Sequence, residues 1–357
     1  MSYKKFSLKI VPIKSVSPSR FLGLQKCALR EIWGYSNSPL LPSLPYNYFG
    51  KLVHLMFEYS SNGIVNGQPA LEVFWRIELD KIESEMRNDE MATHFLPLSK
   101  WINNFHVKRQ ICFKHALKLS KNISIFKNYD GLSATNTYTG PELHLKTLDG
   151  KIAGKVDYIR NNEFGIEIID YKTGAIFEED SVIKDDYQIQ LKMYAGIYYE
   201  VYEVFPSKLL VVGLNGEEYP VEFSKEECSE LLLRAKKIFN EINLSILNYD
   251  STDVLAQPSL DNCKYCQYRP ACRKYWNDLT TDSSYCDIRG RIKSIIPVLN
   301  GTVRIILDHN NRDIRIRLIN KELHKFHDFI NGDDVMAFNL RLEANGTYTT
   351  TALTIFY

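Results

Sequence analysis

The chain carries almost no excess charge of either sign: 44 Lys and Arg stand against 43 Asp and Glu, a formal net charge of +1. A uniformly basic coat for nucleic acid is thereby excluded, although a local groove can still be positive while the rest balances it. Long hydrophobic runs are missing too. No stretch of about 18 apolar residues occurs, which excludes an ordinary transmembrane helix. The opening "MSYKKFSLKIVPIK" has neither an apolar h-region nor a small-residue cleavage site, so a cytoplasmic protein with no membrane partner is expected. Internal repeats and low-complexity tracts are absent. So is a G-x-x-x-x-G-K-S/T loop, and a nucleotide-driven motor would have to come from another chain. Cysteine is sparse and odd in number, seven in all, which rules out complete disulfide pairing. Three of the seven, Cys263, Cys266 and Cys272, nonetheless crowd into ten residues, a spacing that suits a metal better than disulfides in a reducing compartment.

What is present is enough apolar material, 45% of residues against 24% charged, to bury a sizeable core. At 357 residues the expected layout is one large domain with an appendage, or two domains. Ser17 and Pro18 signal a helix start in "SPSRFLGLQKCALREIWGYS", and a short helix carrying Cys27 is expected there. "LPSLPYNY" (41 to 48) reads as a Pro-rich loop, and "FGKLVHLMFEYSSNG" (49 to 63) as an amphipathic helix containing His54. Residues 65 to 130 read as a helical insert. Strands follow: a hairpin turning at Asp149-Gly150, a third strand "EFGIEIIDYKTG" after a turn at Asn161-Asn162, and another hairpin at Asn215-Gly216. Helices are expected over 182 to 205 and about 224 to 246.

A division is expected at 280 to 286, in "LTTDSSYC", separating residues 1–280 from a tail of 286–357. The tail reads β-β-β-α-β-β, with the helix in "NKELHKFHDFI" and Gly290, Gly301, Gly332 and Gly346 at bends or turns. That order suits a five-stranded OB-like barrel. The fold class is therefore α/β with an N-terminal helical region and a C-terminal all-β domain.

The chemistry concentrates in "IIDYKTG", residues 168 to 174. Asp170 and Lys172 are two apart on a strand and so share a face, in a stretch whose isoleucines enter a core. Asp157, thirteen residues earlier in "GKVDYI", comes from the preceding strand and would lie beside Asp170. Two close carboxylates repel unless a cation lies between them, which invites Mg²⁺ or Mn²⁺. A lysine beside that ion could orient an attacking water or stabilise charge on a phosphate. Taken alone, D-x-K on a strand reads as a solvated salt bridge, and His54 as a satisfied core histidine.

Together, "GKVDYI", "IIDYKTG", "QIQLKMY" and "GKLVHLMFE" resemble, in order, the motifs of the RecB-like branch of the PD-(D/E)XK nucleases. The resemblance covers roughly residues 15 to 276. It implies a nuclease core in which Asp157, Asp170, the backbone carbonyl of Tyr171 and His54 hold Mg²⁺ or Mn²⁺, and Lys172 handles water. It further implies that Gln190 and Tyr194 align the strand, with Glu142 in "GPELHL" a weaker match. Iron-sulfur members of the branch, including CRISPR-associated adaptation exonucleases and the AddB-type nuclease domain, carry one early and three late cysteines. By that likeness Cys27, Cys263, Cys266 and Cys272 would hold a 4Fe-4S cluster. Structural Zn²⁺ is the alternative, since four cysteines suit either centre. Cys112, Cys228 and Cys286 have no partner pattern.

The expected function is a metal-dependent DNA nuclease, an exonuclease or single-strand-acting enzyme of repair, recombination or phage defence. Its partners would be DNA with free ends or single-stranded, and a helicase or other subunit. The alternatives are a non-catalytic DNA-binding or scaffold subunit of a larger complex, and a zinc-stapled RNA-binding protein. In the tail, Arg304, Arg315, Arg317 and Arg341, with Phe338 and Tyr348 for stacking, are the candidate nucleic-acid contacts, although such barrels also dock proteins.

Overall fold

A computed structural model describes residues 3–126, 140–248, 252–279, 286–298, 302–319 and 326–357. Two helices, α1 (Pro18–Lys26) and α2 (Ala28–Ser36), open the chain. The single helix expected to carry Cys27 is broken at that residue, whose backbone is extended at φ −159°, ψ 95°. The reading of 41 to 48 as a loop also fails in part. Pro45 occupies the first turn of α3 (Pro45–Ser61), where its missing N–H costs nothing and its fixed φ favours the helix. Phe49, Leu52, Val53, Met56 and Phe57 form the buried stripe of α3. The helices α4 (Gln68–Asn88) and α5 (Phe105–Phe126) complete an N-terminal helical layer.

The first sheet runs β1 (Gly140–Lys146), β2 (Ala153–Asn162), β3 (Gly165–Lys172), β4 (Lys208–Gly213) and β5 (Glu218–Pro220), in that spatial order. All pairs are antiparallel except β3 with β4, which are parallel and joined through the crossover helix α6 (Asp185–Tyr202). The turn between β2 and β3 falls at Glu163-Phe164, two residues later than the expected Asn161-Asn162. Asn162 pairs with Gly165 across a two-residue loop, because Gly165 tolerates φ 111° and Asn162 Oδ1 caps the Phe164 N–H at 2.9 Å.

Strand β3 is buried on both faces, and its side-chain period of two divides it between two cores. Ile166 and Ile168, with Leu209 and Val211 of β4, pack with α1, α2, α6 and α7 (Lys225–Asn248). Ile169 and Tyr171, with Leu210 and Val212, pack against α3, α4 and α5. Each isoleucine so enclosed stabilises the fold by about 2 kcal/mol. Two short helices, α8 (Leu260–Lys264) and α9 (Arg273–Asp278), follow and carry the late cysteines.

The expected division at 280 to 286 falls almost wholly outside the described residues. Beyond it a curled seven-stranded sheet has the order β10-β11-β8-β7-β6-β9-β12. Its strands are β6 (Ile288–Pro297), β7 (Val303–His309), β8 (Arg312–Leu318), β9 (Asp334–Phe338), β10 (Arg341–Leu342), β11 (Tyr348–Thr349) and β12 (Ile355–Phe356). Strand β6 pairs with both β7 and β9, and β8 runs parallel to β11. This is OB-like pairing, but with seven strands where five were expected, because the last stretches break into two-residue pieces. The expected helix in "NKELHKFHDFI" lies largely outside the described residues, and Phe326–Asp328 within it form a 3₁₀ turn. Gly301 is likewise outside them. Gly290 sits within β6 instead of at a bend, where a Cβ would come 2.5 Å from the Asp308 carbonyl oxygen.

The C-terminal sheet meets the cysteine-bearing segments of the first unit along a seam. Leu41, Cys263, Tyr275 and Trp276 pack against Met336 and Phe338. At its centre Arg269, 4% exposed, donates to the carbonyls of Cys263, Lys264 and Cys266 and to Asp287 and Asn339.

Candidate active site

The last paired residues of β2 and β3 at this end are Tyr158 and Ile169, and one step further stand Asp157 and Asp170. Asp157 Oδ2 accepts from the Tyr171 backbone N–H at 2.7 Å, and Asp157 Oδ1 lies 3.4 Å from His54 Nδ1 of α3. Asp170 is 3% exposed. Its Oδ1 accepts from Gln190 Nε2 at 2.7 Å, and its Oδ2 lies 2.6 Å from Lys172 Nζ. That second contact is off the line of a directed hydrogen bond, so Oδ2 is sealed from water with no such bond. Lys172 Nζ also donates to Gln190 Oε1 at 3.1 Å and rests 4.6 Å from the centre of the Tyr187 ring.

The electrostatics follow from this enclosure. Burial pushes the Asp170 carboxyl up to about 6; the Lys172 ammonium opposes that rise and Asp157 adds to it. Burial works against the charge on Lys172, but the Asp170 carboxylate outweighs it and holds the lysine above its ordinary range. His54 behaves alike: burial lowers it, and its contacts with Asp157 more than reverse the effect. The result is a group of charges that satisfies itself.

Gln190 and Tyr194 are one turn apart on α6. Gln190 reaches the carboxylate site, whereas the Tyr194 hydroxyl donates to the Lys155 carbonyl at 2.8 Å. Gly154 makes room for that hydroxyl, since a Cβ there would sit 2.8 Å from it. Glu142 adopts φ 57° and pairs with the Lys155 ammonium. Sequence reasoning missed three participants. Lys155 is adjacent to the motif in "GKVD", and Tyr187 lies one turn before Gln190. Glu58, four residues after His54 on α3, is raised by burial and by Glu142. The i, i+4 spacing of His54 and Glu58 was the available signal.

The four predicted cysteines come together from opposite ends of the fold. Cys27, Cys263, Cys266 and Cys272 line one pocket, walled by Leu29, Trp33, Ala256 and Tyr275. Burial raises Cys263, pushes Cys266 up to about 12 and Cys272 up to about 11, and the nearby Cys27 adds to each rise. The Tyr275 N–H approaches Cys272 Sγ at 3.4 Å. Cys112 and Cys228 are buried elsewhere, and Cys286 is half-buried.

Among the described residues no three His, Cys, Asp or Glu side chains form a ready-made metal-holding group. At the carboxylates, Gln190 bonds one oxygen of Asp170 and the Lys172 ammonium lies against the other. The donors nonetheless fit. Asp170 Oδ2, Asp157 and His54 supply the oxygen-rich set that Mg²⁺ or Mn²⁺ prefers, and four thiols facing one pocket suit a tetrahedral metal or an iron-sulfur centre.

The tail residues divide. Arg304, Arg315 and Arg317 line one groove with Thr302, Asn345 and Thr347. Arg341 is exposed but bonded to Glu343. Phe338 is a correction: it is 0% exposed, packed 5.4 Å from Trp276 in the seam, and is closed to any base. Tyr348 is half-buried against the tail's core.

A family model described as the PD-(D/E)XK nuclease superfamily matches residues 15–273. The chain belongs to that superfamily. Its members are typically metal-dependent nucleases that act on DNA, commonly with Mg²⁺ or Mn²⁺, and the matched span holds every residue of the carboxylate site and all four pocket cysteines. The C-terminal sheet lies outside it. No curated protein matches the chain. Among the described residues no helix is long and apolar enough to cross a membrane.

Proposed function

We propose that this PD-(D/E)XK protein is a metal-dependent deoxyribonuclease of the RecB-like kind, acting on single strands or free ends. The observation that carries the reading is the sealed Asp170 Oδ2, a buried carboxylate oxygen with a lysine and an amide on the same carboxyl and a second carboxylate one strand away. Asp157, Asp170, His54 and the Tyr171 carbonyl would hold the ion, and Glu142 stands behind them through Lys155. A bound Mg²⁺ or Mn²⁺ would supply Lewis-acid stabilisation of the phosphate and a more acidic water.

The chain's own groups do the rest. With an ion held at Asp170, Lys172 would be free to turn its ammonium toward the attacking water or the phosphate. Gln190 keeps Asp170 oriented by its amide, and Tyr194 anchors α6 to β2 so that the amide stays in place. Burial excludes bulk water and strengthens each of these interactions.

In the same reading the nuclease unit spans residues 1–280, the four cysteines carry a 4Fe-4S cluster that ties its two ends, and residues 286–357 form an OB-like appendage. Repair, recombination or phage defence with a helicase or other subunit is the proposed setting. The test is cleavage of end-labelled single-stranded and duplex DNA with Mn²⁺ or Mg²⁺, using protein purified without oxygen, wild type beside Asp170→Ala. Divalent-dependent products that vanish in the variant support the enzyme. A folded wild type that binds DNA without cutting it overturns catalysis in favour of a scaffold subunit. A colourless protein containing zinc overturns the iron-sulfur assignment alone.

A further inference from the structure

The outer face of the C-terminal sheet holds an arrangement that folding by itself does not favour. In β7 and β8 the buried residues Val303, Ile305, Leu307, Ile316 and Leu318 alternate with exposed ones. The register sets Arg304 directly opposite Arg317, and Arg315 opposite Ile306 on the same face. Like charges directly opposite on neighbouring strands destabilise a sheet. Several other cations on this sheet are neutralised, Arg291 by Asp334, Lys293 by Asp308 and Asp313, Arg341 by Glu343, and Arg289 rests over the Tyr3 and Trp276 rings. Among the described residues, Arg304, Arg315 and Arg317 make no ion pair. Glu343 senses Arg317 but is hydrogen-bonded to Arg341.

These three guanidinium groups line a groove of about 420 Å³ with Val298, Thr302, Asn345 and Thr347. Its lining contains no carboxylate, and its polar members are donors suited to oxyanions. Guanidinium forks match phosphate oxygens two bonds at a time. No aromatic ring lines the groove, so it offers nothing on which a base could stack. The groove lies on the face of the second and third strands, between the ends of β6 and β7 and beside the turn from β10 to β11, where OB-like barrels have room for an extended strand.

We propose that Arg304, Arg315 and Arg317 form a phosphate-binding groove that holds the backbone of a single nucleic-acid strand without reading its bases. The inference deepens the nuclease reading by assigning a substrate contact outside the span that the family model matches.

The test is fluorescence anisotropy of a 5′-fluorescein thymidine 20-mer, without divalent ions, on full-length Asp170→Ala protein so that no strand is cut. Replacing Arg304, Arg315 and Arg317 by Gln together is expected to weaken binding at least tenfold at low salt. The slope of log affinity against log salt should shrink by about 2, at roughly 0.7 per lost phosphate contact. A mixed-sequence 20-mer should bind as the thymidine strand does, and Arg341→Gln should change the affinity less than twofold. The melting temperature of the triple variant should not fall, because a repulsive pair has been removed. If the triple variant does not fold, single Arg304→Gln and Arg317→Gln variants should each lower the slope by about 0.7.

Affinity and slope unchanged within twofold would overturn the proposal. So would a thermal shift with inorganic phosphate that depends on the arginines while oligonucleotide binding does not, which would mark a small-anion site. Wild-type protein that cuts DNA regardless of the arginines sinks this inference alone. Arginine-dependent binding by a wild type that never cuts sinks the nuclease reading alone.

Discussion

Two groups of charge in this molecule are built in opposite ways. At the end of β3, Asp170, Lys172 and Gln190 are enclosed and answer one another. On the face of β7 and β8, Arg304, Arg315 and Arg317 are exposed and make no ion pair among the described residues. A buried charge must find its partner inside the fold, since leaving it alone costs several kcal/mol. An exposed charge can be left unpaired at little cost, because water screens it. In the proposed reading the internal group would trade one partner for a cation, and the surface group would take an anion from outside.

The largest effect should come from breaking the enclosed group. Asp170→Ala is expected to reduce cleavage on the order of 10³-fold or more, measured as product from end-labelled DNA. It also strands Lys172, so a stability loss of about 3 kcal/mol should be visible in denaturant melts. Lys172→Met is expected to lower cleavage by about 10²-fold while the dissociation constant for DNA stays within a few-fold. Weakened binding in step with cleavage would show that Lys172 holds substrate instead of serving the chemistry.

Cys263→Ser probes a third arrangement, the cysteine pocket proposed to hold a metal. Loss of the visible absorption of the proposed iron-sulfur centre and a fall in melting temperature of about 5 °C are expected, as for a loss of roughly 4 kcal/mol in a chain of this size. An unchanged melting curve would remove the staple role.

His115 shows what burial does to a base whose nearby carboxylate, Glu218, does not offset it. It is 5% exposed, packed against Phe57 and Tyr171, and its Nδ1 has no hydrogen-bond partner. Burial, helped by Lys118, lowers it from 6.5 to about 4. The folded state thus binds fewer protons than the unfolded chain between those values, and stability falls as pH drops through that window. The share due to His115 is roughly 3 kcal/mol, and a His115→Gln variant should show a correspondingly flatter stability profile from pH 6.5 to 4. The smallest effect belongs to Arg341→Ala, whose exposed pair with Glu343 should leave the chemical-denaturation midpoint unchanged within error.

Much of the enclosed site is legible in residue spacing alone. Asp170 and Lys172 share a face because a strand has period two, Gln190 and Tyr194 because a helix has period 3.6, and Asp157 is one hairpin away. These relations are local. The interruption at Cys27 is not legible in the same way, because the flanking residues are good helix formers and the break serves a pocket completed by residues more than two hundred positions later. Pro45 reads as a loop signal although it suits a first helical turn equally well. Phe338 reads as an exposed ring because its own strand does not reveal what packs across the seam.

The sequence by itself determined the alternation and spacing that place each charge on a face of a strand or helix, since backbone geometry imposes those periods wherever the element forms. Only the tertiary structure decided which faces are covered. Covering Asp170 forces it to share its oxygens with Lys172 and Gln190, and covering Phe338 removes it from any ligand. The register of β7 on β8 sets Arg304 against Arg317 in the open. Burial and register depend on surfaces brought together from distant parts of the chain, and no local pattern encodes them.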